Sequence, residues 1–439
     1  MNSVFQQAIE CWQRGERFRK ERARCKDYAF GRQWNDIVPV DGSMMTEYEY
    51  ILRQGCIPMK NNLIHRIVRN ITGVLRRRLP ALMETESDLI ASLDRQNNLS
   101  ELYARSFEEF LISGLVVHKK WIGRRNGKTG VWTDPVPQDL FFFDHRSCDF
   151  RGVDLDMIGQ IHDVDFNEWC HECVATAGDY EKARSIFSSR DRIKIMEIWK
   201  RENVGRFLVH NPSGGCLISV APEVFSQNSR LTGLRKKWTL TEIWRYYFIT
   251  EDGVIIAQGD SPYMHGSHPY VMRGYPFLDG EIHSLVADII DQQRYTNRLI
   301  TLYDWAIRSS AKGVLLLPSS AVAPEDINDV VREWSKVNGV ISYNHKVGMP
   351  EPKQINADCT NLAISQLLEI QLRMFEDISG VNGALQGNLS SGSVSGKLYE
   401  TQTDNAMISL EDILGSFISF MQDCRRMDEI LLKQNMNQE

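Results

Sequence analysis

No run in this sequence reaches the roughly 18 uncharged apolar residues that a membrane-spanning helix requires. The opening stretch, MNSVFQQAIECWQRGERFRK, has no apolar core of the kind a secretory signal carries. A cytoplasmic site of synthesis is therefore expected. Regular cysteine spacing is missing as well. Nine cysteines, an odd number, are scattered through 439 residues, which points to reduced thiols rather than a disulfide framework. Only Cys170-His171-Glu172-Cys173 is locally suggestive, and a structural zinc site would need two more ligands at comparable spacing, whereas no second CxxC and no HxxxH occurs. Positive charge is also in short supply, since the net charge is -6. That argues against a chain built to grip nucleic acid, because phosphate neutralisation by Lys and Arg supplies most of such affinity. A surface past which DNA slides is not excluded.

What is present suffices for a folded protein. Hydrophobic residues make up 42% and charged residues 25%, enough apolar surface to offset the entropy of ordering. The length exceeds the size at which a single core keeps growing, so two or more structural regions are expected.

Residues 3 to 29 place Val4, Ala8, Ile9, Trp12 and Phe18 among charges, the pattern of a helix with one solvated face. The basic run Arg14, Arg17, Arg19, Lys20, Arg22, Arg24 and Lys26 lies on it; such runs are more often solvated faces than contacts to DNA or a neighbouring subunit. A second helix is predicted over 60 to 78 and ends at Pro80; a third runs from Ser87 to Gly114. From Val116 to about Tyr263 come the signals of short strands, including FFFD, RIKIMEIWKR, GRFLVHN and WTLTEIWRYYFIT, interrupted by one helix near Phe166 to Ala177. Helices followed by runs of strands indicate an α+β region rather than alternating βαβ units.

From Gly280 the pattern changes to long helices. GEIHSLVADIIDQQRYTNRLITLYDWAIRSSAKG carries an apolar stripe over roughly 45 Å. GVLLLP reads as a strand, APEDINDVVREWSKVNG as a short helix and GVISYN as another strand, followed by a helix over Asn361 to Ser379. QGNLSSGSVSG is a loop dense in Gly and Ser, and Lys397 to about Lys433 predicts a helix of roughly 55 Å. Helices of this length exceed a small domain, so partner subunits are the expected cover for their stripes. Asp288, Asp291, Arg294 and Arg298 break the strict heptad of a coiled coil.

Catalytic motifs fail on spacing. Gly392, Gly396 and Lys397 sit at a loop-to-helix junction of the kind that attracts phosphate. A Walker-type loop, however, needs four residues between its glycines and Ser or Thr after the Lys, whereas three intervene and Leu398 follows. Asp144, His145, Asp149, Asp154, Asp156, His162, Asp163 and Asp165 raise the alternative of a metal-dependent, DNA-processing nuclease. Turn and strand-end carboxylates explain that run more simply. Asp288 and Asp291 could face a metal, but Arg294 and Tyr295 offer Asp291 a surface pairing. With GxSxG also absent, no catalytic residue, metal ligand or cofactor is assigned, and the chain is not expected to be an enzyme.

Along the chain come Tyr28, Gly31, Gln33 and Trp34; Asn62 and Gly73; Ala104 to Trp121 with Gly114; Asp144; Glu197 and Trp199; Pro269 and Tyr270; Asp291, Gln292, Gln293 and Asn297; and ISGVNGALQGNLSSGSVSGK. Taken in this order, over about 400 residues, these motifs resemble the portal family of tailed bacteriophages, the podovirus-like head-to-tail connectors. The resemblance implies a portal fold of the α+β class with a mixed wing, a two-helix stem, a small α/β clip and a long C-terminal wing helix. On that pattern residues 1–280 are the N-terminal part of the wing, 281–312 the first stem helix, 313–356 the clip, 357–380 the second stem helix, 381–396 the tunnel loop, and 397–439 the wing helix and tail. Little sequence remains for a crown, which is expected to be short, absent or truncated.

The same resemblance implies a ring, usually of about twelve subunits, at one capsid vertex, assembled in the host cytoplasm and carried in the virion. Double-stranded DNA, terminase, head-completion or adaptor proteins, major capsid protein and scaffolding protein are its implied partners, and a membrane is not. Gln386, Asn388, Ser390, Ser391, Ser393, Ser395 and Lys397 would face DNA from the tunnel loop. Glu325, Asp326, Asp329, Arg332, Glu333 and Lys336 would dock partners at the clip, and Asp288, Asp291, Arg294, Asn297 and Arg298 would lie in the stem. Neutral loop groups and an acidic subunit suit a conduit that must pass DNA without holding it.

Overall fold

The computed structural model describes residues 3–125, 127–173, 177–188, 191–210, 217–220, 222–227, 236–312, 314–318, 322–335, 340–343, 348, 351–355, 362–381 and 396–438. It is 50% helical and 27% strand, a mixed composition consistent with the expected α+β class.

The chain opens with α1 (Ser3–Arg14) and α2 (Glu16–Ala29), where one helix was expected. Gly15 divides them: a side chain there would meet the Arg19 guanidinium, which folds back to donate to the Trp12 carbonyl at 2.7 Å. A hairpin of β1 (Ile37–Val40) and β2 (Ser43–Thr46) leads into α3 (Glu47–Arg53), then α4 (Leu63–Leu82). Pro80 lies inside the last turn of α4 rather than ending it, since a proline so near a helix end costs only one ladder bond. The helix expected over Ser87 to Gly114 is two, α5 (Asp88–Gln96) and α6 (Leu99–Ser113). Between them Asn98 adopts the left-handed region at φ 48°, which asparagine tolerates better than most residues. Beside it the Asn97 amide is drawn away, donating to the Val131 carbonyl and accepting from the Thr133 N–H.

Strands dominate next: β3 (Leu115–Arg125), β4 (Lys128–Pro135), β5 (Phe141–Phe143) and β6 (Met157–Asp165). After α7 (Phe166–Cys173) and α8 (Ala177–Ile186) come β7 (Arg192–His210), β8 (Leu217–Val220), α9 (Pro222–Gln227), β9 (Lys236–Thr250), β10 (Ile255–Asp260), β11 (Tyr270–Gly274), β12 (Pro276–Leu278) and β13 (Glu281–Ile282). Two of these strands are long where short ones were expected. RIKIMEIWKR and GRFLVH fuse into β7, which pairs with β9 from Ile195–Thr250 to Val209–Lys236; no proline interrupts the ladder. The six-stranded sheet runs β10-β9-β7-β6-β5 with β8 on β7, and a separate three-stranded sheet runs β11-β3-β4.

The helical part begins with α10 (Leu285–Lys312), which starts after β12 and β13 rather than at Gly280. It continues through β14 (Val314–Leu316), α11 (Ile327–Ser335), β15 (Lys353–Ile355), α12 (Leu362–Ser379) and α13 (Gly396–Gln438). The strand expected at GVISYN does not form over residues 341–343. Val340 is 79% exposed there, and β14 pairs with β15 instead.

Two compact units result. One comprises residues 1–30, 64–290 and 379–439, the other residues 31–63 and 291–378. In the first, Val4, Phe5 and Ala8 of α1 pack on Phe142, Met196, Ile198 and Ile249 of the large sheet. A second apolar centre joins α6 to α13, where the Phe417 ring lies 4.8 Å from Phe107 and 5.7 Å from Phe110. Burying each such ring contributes roughly 2 to 3 kcal/mol. Partner subunits were the expected cover for the stripe of α13. Of that stripe Leu410, Ile413, Leu414, Phe417 and Met421 are instead buried within the chain's own unit, as are Phe420 and Leu431, while Ile418 is half-buried and Ile408 alone is exposed. Gly114, at φ 76° between α6 and β3, is required to be small, because a Cβ would meet Ile282 and His283.

Candidate functional site

The second unit contains a polar network around α10. Thr46 caps α3 reciprocally with Glu49: the Glu49 N–H donates to Thr46 Oγ1 and the Thr46 N–H to Glu49 Oε2. That cap seats Glu47, a buried carboxylate, where Arg294 Nε donates to Oε2 at 3.0 Å and Arg298 Nε to Oε1 at 2.6 Å. One turn away Asn297 Oδ1 accepts from the Asn61 N–H at 3.1 Å and from Gln293 Nε2 at 3.0 Å, while Asn297 Nδ2 donates to Gln33 Oε1 at 2.6 Å. Gln293 Oε1 accepts from the Leu63 N–H, and Gln33 Nε2 donates to Asn62 Oδ1. Motif residues that are far apart in sequence, Gln33, Asn62, Gln293 and Asn297, thus form one hydrogen-bonded set.

Of the residues expected in the stem, Arg294, Asn297 and Arg298 are held by this network. Asp288 accepts from His283 at 2.5 Å, and Asp291 is exposed, its expected partner Arg294 being engaged by Glu47. Large apolar side chains face outward from the same unit: Leu302, Trp305 and Ile307 on α10, and Leu367, Ile370 and Met374 on α12. Trp305 is 48% and Ile370 50% exposed.

Among the clip residues Glu325, Asp326, Asp329 and Arg332 are exposed and Glu333 is half-buried, with an ion pair of 3.4 Å between Asp329 and Arg332. Lys336 lies outside the described residues, as do Gln386, Asn388, Ser390, Ser391, Ser393 and Ser395. Lys397 lies in the first turn of α13.

The acidic run in the first unit is dispersed among separate partners. Burial raises the pKa of Asp144, but its bonds from Arg146 outweigh that and hold it low. Arg151 lowers Asp149 to about 2. Asp154 accepts from Ser147 Oγ and from the N–H groups of Cys148 and Asp149, the geometry of a loop. Asp156 pairs with Arg201 and Asp163 with Arg192, while Asp165 and Glu168 cap α7 reciprocally. Cys11, Asp144 and His145 do approach one another closely enough to suggest a metal. Arg14 contacts His145, Arg146 occupies both Asp144 oxygens, and burial pushes the Cys11 thiol up to about 11. The set is already occupied by cations and a neutral thiol, and the nuclease alternative finds no support.

Part of the basic run is likewise engaged within the chain, while Arg17 is exposed. Arg19 lies over the Trp12 ring, Arg22 is buried between Glu109 and Asp139, and Lys20 pairs with Glu16. A cavity of about 400 Å³ is walled by Trp121, Trp169, Trp199 and Tyr263. At its floor Glu197 accepts from Lys119 Nζ at 2.6 Å, His162 Nε2 at 2.7 Å and Trp199 Nε1 at 2.9 Å. Burial opposes ionisation of Glu197, but Lys119 and His162 outweigh it and hold the carboxyl far below its ordinary range. Both oxygens are consumed by the protein, so the motif IMEIW builds a structural knot.

A family model described as phage P22-like portal protein matches residues 5–427 of the 439. The chain belongs to that family. No curated protein matches it. A phage portal protein is a head-tail connector component involved in DNA packaging, and the family is structural rather than enzymatic. Among the described residues of this portal protein no helix is long and apolar enough to cross a membrane.

Sequence reasoning overlooked Glu47, Lys120 and Asp428 of this portal protein. A signal existed for two of them. Thr46-Glu47-Tyr48-Glu49 has capping-box spacing, and Asp428 falls in step with Phe417, Phe420, Cys424 and Leu431 on a stripe that is otherwise apolar.

Proposed function

We propose that this portal protein assembles into a ring of about twelve subunits, forming the channel at one capsid vertex through which DNA is packaged, retained and ejected. The observation that carries the reading is the contrast on the helices of the second unit. Gln293, Arg294 and Asn297 find polar partners within the unit, while Leu302, Trp305, Leu367 and Ile370 are exposed. Exposed apolar side chains on two long helices suit an interface, and a head-to-tail contact between identical subunits gives a ring when its rotation closes.

In this reading residues 1–280 form most of the wing, 281–312 and 357–380 the stem, 313–356 the clip, 381–396 the tunnel loop and 397–439 the long wing helix. The clip, with Glu325, Asp326, Asp329, Arg332, Glu333 and Lys336, docks terminase during packaging and head-completion proteins afterwards. Capsid and scaffolding proteins meet the outer surface, and assembly takes place in the host cytoplasm. Gln386, Asn388, Ser390, Ser391, Ser393, Ser395 and Lys397 face the DNA. Neutral hydroxyl and amide groups there offer hydrogen bonds without strong Coulombic trapping, and a subunit with a net charge of -6 disfavours lasting attachment of the duplex.

Replacing Ser390, Ser391, Ser393 and Ser395 with Ala tests the loop assignment through DNA packaged per capsid and genome retention. Reduced packaging or leakage is expected; unchanged values for both contradict it.

A further inference from the structure

The long helix α13 is joined to the rest of its unit by several ion pairs, one of which differs from the others. Lys120 Nζ on β3 lies 2.6 Å from Asp428 Oδ2 on α13, and both side chains are 0% exposed. The Arg425–Asp94 and Arg273–Asp423 pairs retain access to solvent. Asp428 Oδ1 has no hydrogen-bond partner among the described residues. Around the pair lie Cys424 and His118, the latter fully buried, 2.7 Å from Ser106 Oγ and packed edge-on against Phe420.

A buried ion pair with half of its carboxylate unused is poorly arranged to add stability, because desolvation offsets most of the Coulombic gain. It is well arranged to discriminate between alignments. The stripe of α13 repeats apolar side chains over part of its length, so sliding the helix by one turn, about 5.4 Å, can bring Leu414 to the place of Leu410 and Phe417 to that of Ile413, although Cys424 then replaces Phe420 and Asn435 replaces Leu431. The same slide brings Cys424 or Leu432 opposite Lys120 and separates the ammonium from its carboxylate, leaving a buried charge unpaired, which is strongly disfavoured.

We propose that the Lys120–Asp428 pair fixes the axial register of α13 on β3, and with it the position of the helix's first turn at Gly396. The register follows from the fold alone; only its consequence for packaging rests on the portal reading.

The test uses the full chain carrying Asp428→Leu, or Lys120→Met together with Asp428→Leu. The single variant should lower Tm by on the order of 10 °C, and the double variant should regain most of that loss. A structure of the double variant, by electron cryomicroscopy or crystallography in whatever assembly it forms, should show α13 in more than one register or shifted by about one turn. Phe417 would then have left its place against Phe107. A double variant holding the single native register overturns the proposal. So does one as unstable as the single variant, since the pair would then be a stability element. Failure of the wild-type chain to form rings would count against the portal reading and leave the register result standing.

Discussion

Arg294 on α10 and Glu47 at the first turn of α3, 247 residues apart in sequence, meet at 3.0 Å, with Arg298 completing the carboxylate's partners. Because Glu47 is 1% exposed, removing its charge leaves two guanidinium groups facing a neutral amide. Glu47→Gln should destabilise the protein by roughly 3 kcal/mol, the lower end for a broken buried pair because both arginines can turn toward water. Urea denaturation followed by circular dichroism reads this as a lower midpoint. An unchanged midpoint contradicts the role given to Glu47.

Asn297 is the hub of the neighbouring amide network. Asn297→Leu is close in size but leaves the Asn61 N–H and Gln33 Oε1 without their partner. Each buried polar group so orphaned costs about 1 to 3 kcal/mol. The expected loss is therefore larger than for a typical surface substitution, and hydrogen exchange at the Asn61 amide should accelerate. Retained protection at that amide would show that the network does not depend on Asn297.

Acid should destabilise the first unit over a window to which four histidines contribute, because burial lowers His118, His145, His265 and His268. Burial lowers His265 to about 4 and, assisted by His265 itself, His268 to about 3. Each Nδ1 accepts a backbone N–H, from Ser267 and Tyr270 respectively, and protonation would remove that acceptor. The unfolded chain binds these protons near pH 6.5, so between that pH and about 4 the unfolded state carries more protons than the folded one. Stability is then fully present above pH 6.5 and falls as the pH drops toward 4. Unfolding midpoints measured from pH 7.5 to 4 should decline, and His265→Asn with His268→Asn, which keeps an acceptor near each position, should flatten the decline. An equally steep decline in that variant contradicts the assignment.

The exposed apolar residues of α10 and α12 give a prediction about assembly rather than folding. Trp305→Ser with Ile370→Ser removes side chains worth roughly 1.5 to 3 kcal/mol each when covered from positions that are exposed in the isolated chain. Tm of the isolated subunit should hardly change, while the concentration at which rings form should rise tenfold or more. Mass photometry distinguishes this from equal assembly of variant and wild type, which would place the interface elsewhere.

Much of the architecture was legible because periodicity reports burial directly. The helices of α4, α10, α12 and α13 and the strand-rich middle follow from spacing alone. The errors have local causes: Gly15 and Asn98 break helices through backbone geometry and side-chain bonds to distant segments, while Pro80 is accommodated near a helix end. Tertiary pairing explains the rest, since nothing in KQI marks it as the partner of VLL. The length of α13 was legible but most of its cover was not, since from Leu410 onward its stripe packs on α6 and β3 while Ile408 stays exposed. Ion-pair identities were the least legible. Glu47, Lys120 and Asp428 have partners between 247 and 308 residues away, and sequence spacing gives no information at that range.

The central claim is that this chain forms the channel ring of a capsid vertex. The most direct measurement is the mass and negative-stain image of the purified wild-type assembly. The account predicts closed rings of about twelve subunits with a central hole; a monodisperse monomer at concentrations up to the millimolar range would contradict it.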